Sequence, residues 1–431
     1  FQYESNKNRD LDGKRKDLVS SDLPVLDLTT NTEDITVGSA YNEWATAGFF
    51  GRINYDYEGK YLLEISGRYD GTSRFRRDNR WVFSPSFSLG WNLAQEHFLE
   101  KANNYIDVLK PRFSYGSLAN QNVTSLYPTY QTMATSTAGG HWLLPGTEGP
   151  VQPNIANAPS KMISTTLTWE KIETINIGLD WSAFKNRFTG SFDYFIRKTL
   201  GMVGPGVELP ATLGVAVPRT NNSELKASGW ELEVSWRDRI RAFSYGIRLN
   251  ISDARTKVVK YPNPTGLLSS YVEGTYLNNY YGYTTIGIAK TDEEMQAHLA
   301  SLPNGGQSAL FATWTAGDIM YKDINGDGKI SSGNNTIYDM GDKKLIGNYT
   351  PRFRTGINID MGWKGIDLSM FWQGVLKRDY FPEDKSSDGK GTDLVFWGIT
   401  KGGKDWSTGF KQHLDYFRDD PDSPLGLNLD A

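Results

Sequence analysis

Large apolar residues and small polar residues alternate along most of this chain with a period of two. The pattern is clearest in Trp81–Leu93, where aromatic, aliphatic or proline side chains occupy the odd positions and serine, glycine or asparagine occupies most even positions. Because side chains alternate across a β-strand, one face of this segment is apolar and the other is small and polar. At about 3.3 Å per residue and a tilt of roughly 45°, Trp81 to Trp91 covers about 23 Å. That span matches the apolar band of about 25 Å in membrane β-barrels, so we interpret the segment as a membrane-spanning strand.

The same alternation recurs between turn-rich segments and predicts ten strands. They lie at approximately 47–57, 61–73, 81–93, 108–117, 169–182, 188–199, 225–236, 243–252, 353–363 and 366–377. The connections between them alternate between shorter and longer, and the longest is an insertion at about 255–352. Outer-membrane barrels combine short periplasmic turns with long external loops, whereas a soluble β-sandwich has no reason to sort its loops in this way.

The chain is accordingly divided into three regions. Residues 1–45 include a charged, turn-rich run and are assigned to an external loop region. Residues 46–377 are assigned to barrel strands with external loops, and 378–431 to an external loop region that leads to last strands outside this sequence. The predicted fold class is all-β: part of a large antiparallel transmembrane β-barrel with long external loops.

Charged residues on the predicted polar face support a water-filled lumen. In a packed sandwich this face would be buried, and burying unpaired charge is costly. In a wide barrel it faces water. The charged residues are Arg52, Glu64, Arg68, Glu231, Glu233 and Arg248.

Composition excludes several classes of protein. Cysteine is absent, so disulfides, thiolate ligands and thiol nucleophiles are excluded. The net charge is −4 with interspersed signs, which argues against nucleic acid as a partner. No apolar run is long enough for a membrane helix. The four histidines are far apart without a partner motif, so we predict no enzyme and no organic cofactor; a soluble all-β glycan-binding protein or a glycoside hydrolase is the alternative.

Several phrases resemble the barrel half of SusC/RagA-type TonB-dependent transporters. The resemblance covers most of Trp44–Gln373 in the order and spacing of that family. The phrases include YEGKYLLEISGRYDGTSRF, RWVFSPSFSLGWNLAQE, LTWEKIETINIGLDWSAFKNRFTGSFDYFIRKT, ASGWELEVSWRDRIRAFSYGIRLN, GDIMYKDINGDGKI and PRFRTGINIDMGWKGIDLSMFWQG.

The resemblance implies a 22-stranded, plugged barrel in a bacterial outer membrane, in contact with its lipid. It also implies import of an oligosaccharide or a peptide, a SusD-like surface lipoprotein as partner, and energy from TonB acting through a plug. We expect the plug, the TonB box and the first and last strands of the barrel to lie outside this sequence. A siderophore or cobalamin receptor is the alternative within barrels.

The segment that begins at Asp323 follows the D-x-[DN]-x-[DN]-G start of a calcium loop. Calcium prefers six to eight oxygen ligands, and glycine permits the sharp turn that lets them converge. Position twelve is Asn334 instead of the usual glutamate, and Asp339 or Asp342 is the possible substitute; the alternative is a metal-free polar turn. The predicted ligands are Asp323, Asn325, Asp327, the backbone of Lys329, Ser331 and Asn334.

Aromatic residues in the predicted external loops form a second candidate site. Flat rings stack on sugar faces, and tyrosine and tryptophan are common in protein interfaces. The alternative is that these rings pack the loops against one another. The predicted substrate-binding residues are Tyr127, Tyr130, Trp142, Tyr280, Tyr281, Trp314 and Trp397.

Overall fold

The structure is a computed structural model that describes residues 1–379 with short gaps. The gaps are residues 18, 21, 23–24, 30–34, 122, 124, 134, 138–144, 146–153, 157–161, 207–209, 211 and 213, and residues 380–431 also lie outside the described part. Nearly all of the predicted region 378–431 is therefore outside it. None of the helices in the described residues is long and apolar enough to span a membrane.

Strands dominate the described part of the chain. In chain order they are β1 (Gln2–Arg15), β2 (Ile35–Tyr57), β3 (Tyr61–Thr72), β4 (Trp81–Trp91), β5 (Ile106–Asn120), β6 (Thr135–Thr137), β7 (Asn154–Ala156), β8 (Glu170–Ala183), β9 (Phe188–Gly204), β10 (Thr220–Ile240), β11 (Phe243–Lys260), β12 (Asn279–Gly282), β13 (Thr285–Ile288), β14 (Ile319–Tyr321), β15 (Lys344–Asn348), β16 (Arg352–Trp363) and β17 (Ile366–Lys377). The helical elements are α1 (Asp292–Ala300) and three 3₁₀ turns at Arg77–Asn79, Leu93–Gln95 and His97–Ala102.

One sheet contains eleven of the strands in the order β1-β2-β3-β4-β5-β8-β9-β10-β11-β16-β17. Every strand in it lies beside its neighbour along the chain, apart from the short strands of the connections. Those short strands form the separate pairs β6–β7, β12–β15 and β13–β14. The ten strands predicted from alternation are confirmed, and the sheet contains one strand more.

The connections are sorted by length as predicted, with one exception: residues 92–105, between β4 and β5, lie at the end of the tight turns but form a longer connection than residues 73–80 between β3 and β4. Successive strands run antiparallel, so connections alternate between the two ends of the sheet. Tight turns follow β2, β8, β10 and β16, while the segments after β3, β5, β9 and β11 are longer. The asymmetry is that of an outer-membrane barrel with short periplasmic turns.

The prediction that residues 1–45 form a loop is wrong in part. Strand β1 pairs with β2 continuously from Gln2↔Gly48 to Arg15↔Ile35. Strand β2 pairs with β3 only from Thr46 onward, so most of β1 and the first half of β2 form a two-stranded arm with mostly exposed side chains. Backbone hydrogen bonds hold this arm without a buried face, so its sequence needs no apolar alternation. The external position of the arm stays a prediction.

The strands of the sheet have the two faces that the alternation predicts. Apolar residues from neighbouring strands lie side by side in rows, such as Tyr55, Leu63, Leu89 and Phe113. Many of these large side chains are exposed: Leu89 is 47% exposed and Phe83 is 58% exposed. An apolar face of this extent requires an apolar environment, which lipid supplies.

The described fold divides into two compact units. The sheet unit comprises Phe1–Asn250, Val259–Pro262 and Asn358–Met370. Its small buried cluster, formed by Phe75, Val82, Leu167 and Trp169, lies at the long-connection end of the strands.

The second unit comprises Ile251–Val258, Asn263–Ile357 and, at the end of the described residues, 371–379, and we call it the insertion unit. Its buried cluster is Ala289, Met295 and Met320, with Leu299 and Trp314 packed against it. Asp253 and Arg352 form an ion pair within this unit.

Candidate functional site

The polar face of the sheet carries a line of paired charges across β5, β8 and β9. Asp180 accepts from Lys110 Nζ at 2.9 Å and from Arg112 at 2.8 Å. The same Arg112 nitrogen donates to Asp193 at 3.0 Å. Arg112, Gly178 and Asp193 are direct neighbours across the three strands, so Arg112 reaches Asp193 over a residue without a side chain.

Gly178 is required for this contact. A Cβ atom at this position would lie 2.6 Å from Asp193 Oδ1 and 2.8 Å from Arg112 Cζ, which is closer than such atoms approach one another. Glycine therefore lets two strands exchange an ion pair across a third.

The predicted polar-face charges are also paired, with one exception. Arg52 lies 3.4 Å from Glu64, and Arg248 lies 3.5 Å from Glu233. Arg68 pairs with Asp70 at 2.8 Å. Glu231 is exposed on the same face. The charges named on the described polar face are thus mostly paired and nearly balanced in sign.

The predicted calcium loop folds back on itself through glycines. Gly326 and Gly328 have φ values of +75° and +78°, which favour glycine. Their backbone N–H groups donate to the Asp323 carboxylate at 2.6 and 2.8 Å. Burial by itself would raise the pKa of Asp323, but backbone N–H donors from Gly328, Gly326 and Asp327 hold it below its usual value.

Three carboxylates converge at this loop. Asp323, Asp327 and Asp342 each place an oxygen within 4.8 Å of the others. Asp342 is fully buried and accepts from the N–H groups of Ile324 and Ser331 at 2.8 Å each. Of the two downstream substitutes considered, the structure therefore brings Asp342 to the loop. No ion pair within the described part of the chain includes these three carboxylates.

The other predicted ligands lie around this cluster in different roles. Asn325 contacts Asp327 through its side chain, and Lys329 N–H donates to Asp327. Ser331 Oγ accepts from Gly333 N–H at 3.3 Å. Asn334 is directed to Asp339, to which its Nδ2 donates at 2.8 Å.

The residues present suit a hard divalent cation. Carboxylate and amide oxygens are the ligands that calcium prefers, and converging carboxylates repel one another without a positive charge. Asp323, Asp327 and Asp342 would hold the ion, and Asn325 lies beside them. Calcium binding stays a prediction, and the described structure brings Asp342, not Asn334, to Asp323 and Asp327.

Helix α1 is attached directly to this loop. Asn304 follows the helix and donates its Nδ2 to the Asp327 carbonyl at 2.6 Å, and its N–H to the Gly328 carbonyl at 2.9 Å. Ile330 N–H donates to the Gly306 carbonyl. Thr291 caps the helix by accepting from Glu294 N–H. Sequence reasoning missed this helix, although the T-D-E-E sequence is a capping-box signal.

The predicted aromatic residues are divided between structural and exposed positions. Tyr127 donates its hydroxyl to the Glu43 carbonyl and accepts from Glu43 N–H, which anchors its loop to β2. Its ring faces Tyr130, whose side chain is 61% exposed. These two tyrosines are the part of the set that presents ring surface on the sheet unit.

The aromatic residues of the insertion unit pack mainly against one another. Trp314 packs on the buried methionines and on Tyr321, and its Nε1 donates to the Phe311 carbonyl. Tyr280 contacts Tyr349, and Tyr281 lies in β12 beside Leu345. Trp142 and Trp397 lie outside the described residues.

Comparison with known proteins identifies relatives along nearly the whole chain. Residues 3–373 match the family described as TonB dependent receptor-like, beta-barrel. TonB-dependent receptor P3 of Formosa agariphila is 28% identical over 87% of this chain and 36% of its own length. TonB-dependent receptor SusC of Bacteroides thetaiotaomicron is 27% identical over 76% of this chain and 31% of its own length. The chain thus spans about a third of these curated relatives.

Solved structures share the fold. The RagAB peptide transporter covers 86% of this chain, with a TM-score of 0.65 and 18% identity, and the match spans 38% of that chain. The "open-open" state of the RagAB peptide importer gives a TM-score of 0.66 with 19% identity, and the match covers 86% of this chain and 37% of that one. At these identities the likeness shows the fold alone.

Proposed function

The chain belongs to the TonB-dependent receptor-like β-barrel family of the bacterial outer membrane, and from this premise we propose that it forms the wall and external loops of a nutrient importer. The observation that carries the proposal is the family match over residues 3–373, together with strands that have one apolar and one charged face. A soluble glycan-binding protein or glycoside hydrolase would have to expose such an apolar face to water, which argues against both. The family consists of transporters and not of enzymes.

The proposed substrate is an oligosaccharide or a peptide. The resemblance to SusC/RagA-type transporters implies this class, and one structural neighbour is named a peptide transporter, which supports it over iron complexes. The described polar face has paired charges of both signs, so it offers no strong field that would select an anion or a cation. Tyr127 and Tyr130 present ring surface suited to sugar or peptide contact.

The proposed partners are a SusD-like surface lipoprotein at the long-connection end and TonB acting through a plug outside this sequence. Relatives named SusC and RagAB support the first partner. The family name supports the second.

Uptake by whole cells tests the proposal. Cells that express the full-length protein should accumulate labelled oligosaccharide or peptide, and deletion of TonB should abolish accumulation. The variant Tyr130→Ala should lower uptake, while Tyr338→Ala, which removes an 83% exposed ring in another loop, should not. Uptake that is unchanged without TonB would contradict the proposal.

We also propose that the loop around Asp323 binds calcium. Removing Asp342 by Asp342→Asn should abolish calcium binding measured by calorimetry on the purified full-length protein. The control Asp339→Asn changes a carboxylate that instead binds Asn334 and Gly341, and it should keep the ion. Absence of calcium binding by the unmodified protein would show a metal-free turn.

A further inference from the structure

The apolar face of the sheet contains a groove where β4 and β5 separate. Strand β4 pairs with β5 only from Ser86↔Gly116 to Gly90↔Arg112. Beyond that point β4 continues only to Trp91, which pairs with β3, whereas β5 pairs with β8. Trp91 and Pro111 therefore flank an opening with a volume of about 700 Å³. This size lies in the range of pockets that hold small ligands.

The lining of the groove is suited to hydrocarbon. Proline has no backbone N–H, so Pro111 adds no unpaired donor at the point where the strands part. The other large lining residues of the apolar face are aromatic or aliphatic. They are Tyr55, Tyr61, Leu63, Leu89, Trp91 and Phe113. Leu62, Gly90 and Arg112 of the polar face also border the opening, and Arg112 is paired there with Asp180 and Asp193.

The end of the groove nearest the tight turns is amphipathic. The rings of Tyr61 and Trp91 stack with centroids 6.2 Å apart. Both donate to the same oxygen of Glu96, Tyr61 at 2.7 Å and Trp91 at 2.9 Å. Aromatic rings with a polar tip lie at membrane–water interfaces, so this end marks the level of lipid headgroups on the short-turn side.

Three charged residues surround that end. Lys60 lies 3.2 Å from Glu58 and also interacts electrostatically with Glu96. Two carboxylates and one ammonium give this cluster a net negative charge and one cationic group. Such a set complements a headgroup that has an exposed ammonium next to a phosphate, and it disfavours a purely anionic headgroup.

We propose that this groove binds an acyl chain of a glycerophospholipid whose headgroup carries a terminal ammonium. The ammonium contacts Glu96 and Glu58, and the phosphate contacts Lys60. The inference goes beyond the proposed import function and depends only on the strands' lying in a membrane. Lipid binding is measured without transport, so a negative result for lipid binding does not contradict the import proposal, and the reverse also holds.

Native mass spectrometry of the full-length protein tests the site. The detergent-purified protein is mixed with phosphatidylethanolamine or phosphatidylglycerol of identical acyl chains. The unmodified protein should retain phosphatidylethanolamine, and Leu89→Trp, which fills the groove, should lower that retention about tenfold. The control Phe83→Trp places the same ring on the same strand and face outside the groove and should retain the lipid.

A second variant separates headgroup recognition from groove filling. Glu96→Gln keeps the groove and its hydrogen-bond acceptor but removes a charge, so the preference for phosphatidylethanolamine over phosphatidylglycerol should fall while total lipid retention persists. All variants are checked for folding by their heat-dependent migration in gels. Equal retention by Leu89→Trp and Phe83→Trp, or a preference of the unmodified protein for phosphatidylglycerol, would overturn the proposal.

Discussion

At the scale of single residues, Gly178 shows how a missing side chain determines a contact between others. Replacing it by alanine forces a Cβ atom against Arg112 and Asp193 and should lower the free energy of unfolding by about 1–3 kcal/mol. The matched control is Gly51→Ala in β2, where an added Cβ meets no atom within 4 Å. Urea unfolding in detergent or lipid measures both, and equal stability of the two variants would refute the role of Gly178.

The carboxylate of Asp323 gives the calcium loop a defined pH dependence. Its pKa is lowered in the folded loop. Its contribution to stability is therefore complete above the pKa that the aspartate has in the unfolded chain, about 4. That contribution is lost as the pH falls through the lower, folded pKa. Hydrogen exchange in calcium-free buffer, corrected for intrinsic rates, should show the amides of Gly326 and Gly328 losing protection below about pH 4. Asp323→Asn should show weak protection at every pH; if it protects as well as the unmodified protein, the assignment is wrong.

The sequence predicted some residues of the candidate sites and not others. Asp323, Asn325 and Asp327 lie within one short motif, so their proximity follows from local turn chemistry. Asp342 joins them because the chain returns after Asn334, and spacing alone did not distinguish it from Asp339. The charge pairs across β5, β8 and β9 depend on strand register, which a single sequence specifies only by its alternation.

At the scale of elements, the assignment of faces predicts where charge is tolerated. Leu89→Arg and Leu232→Arg each place a cation on the lipid side and should lower the free energy of unfolding; the cost is about 2–4 kcal/mol at mid-depth and falls to about 1 kcal/mol towards the headgroup level. The control Ser88→Arg lies next to Leu89 on the polar face, where Arg52, Glu64 and Arg68 already lie. Folding into lipid vesicles followed by urea unfolding gives the comparison. If either leucine variant is as stable as the control, its facing is misassigned.

The long strands with a lipid-facing side were predicted, whereas the exposed strand β1 and helix α1, despite its buried Met295, were missed. Strand β4 agrees with its prediction to within two residues, because period-two alternation continues to its end. Strand β1 is exposed along nearly its whole length, so nothing in its polar sequence distinguishes it from a loop. Strand β10 begins at Thr220, before its alternation, and its early part contains register shifts at Asn221/Ser223 and Ser223/Leu225 that disrupt the period.

At the scale of the whole molecule, the connections at the two ends of the strands differ in length, and the chain contains no cysteine. Together these features allow a direct test of topology. The connection between β11 and β16 should be outside the cell, and the turn between β10 and β11 should face the periplasm. Because the chain contains no cysteine, single substitutions provide unique labelling sites within it. Tyr338 is 83% exposed in the long connection, and Arg239 is exposed beside the tight turn.

A membrane-impermeant maleimide added to intact cells should therefore label Tyr338→Cys and leave Arg239→Cys unlabelled until the outer membrane is permeabilised. Any cysteines of the full-length protein outside this chain are first replaced, and labelling of both sites after permeabilisation is the control for reactivity. The two sites belong to connections at opposite ends of antiparallel strands, so a single inversion of the barrel would exchange the two results. Labelling of both in intact cells would show that the strands do not separate two compartments, and it would remove the physical basis for reading the loop asymmetry as membrane topology.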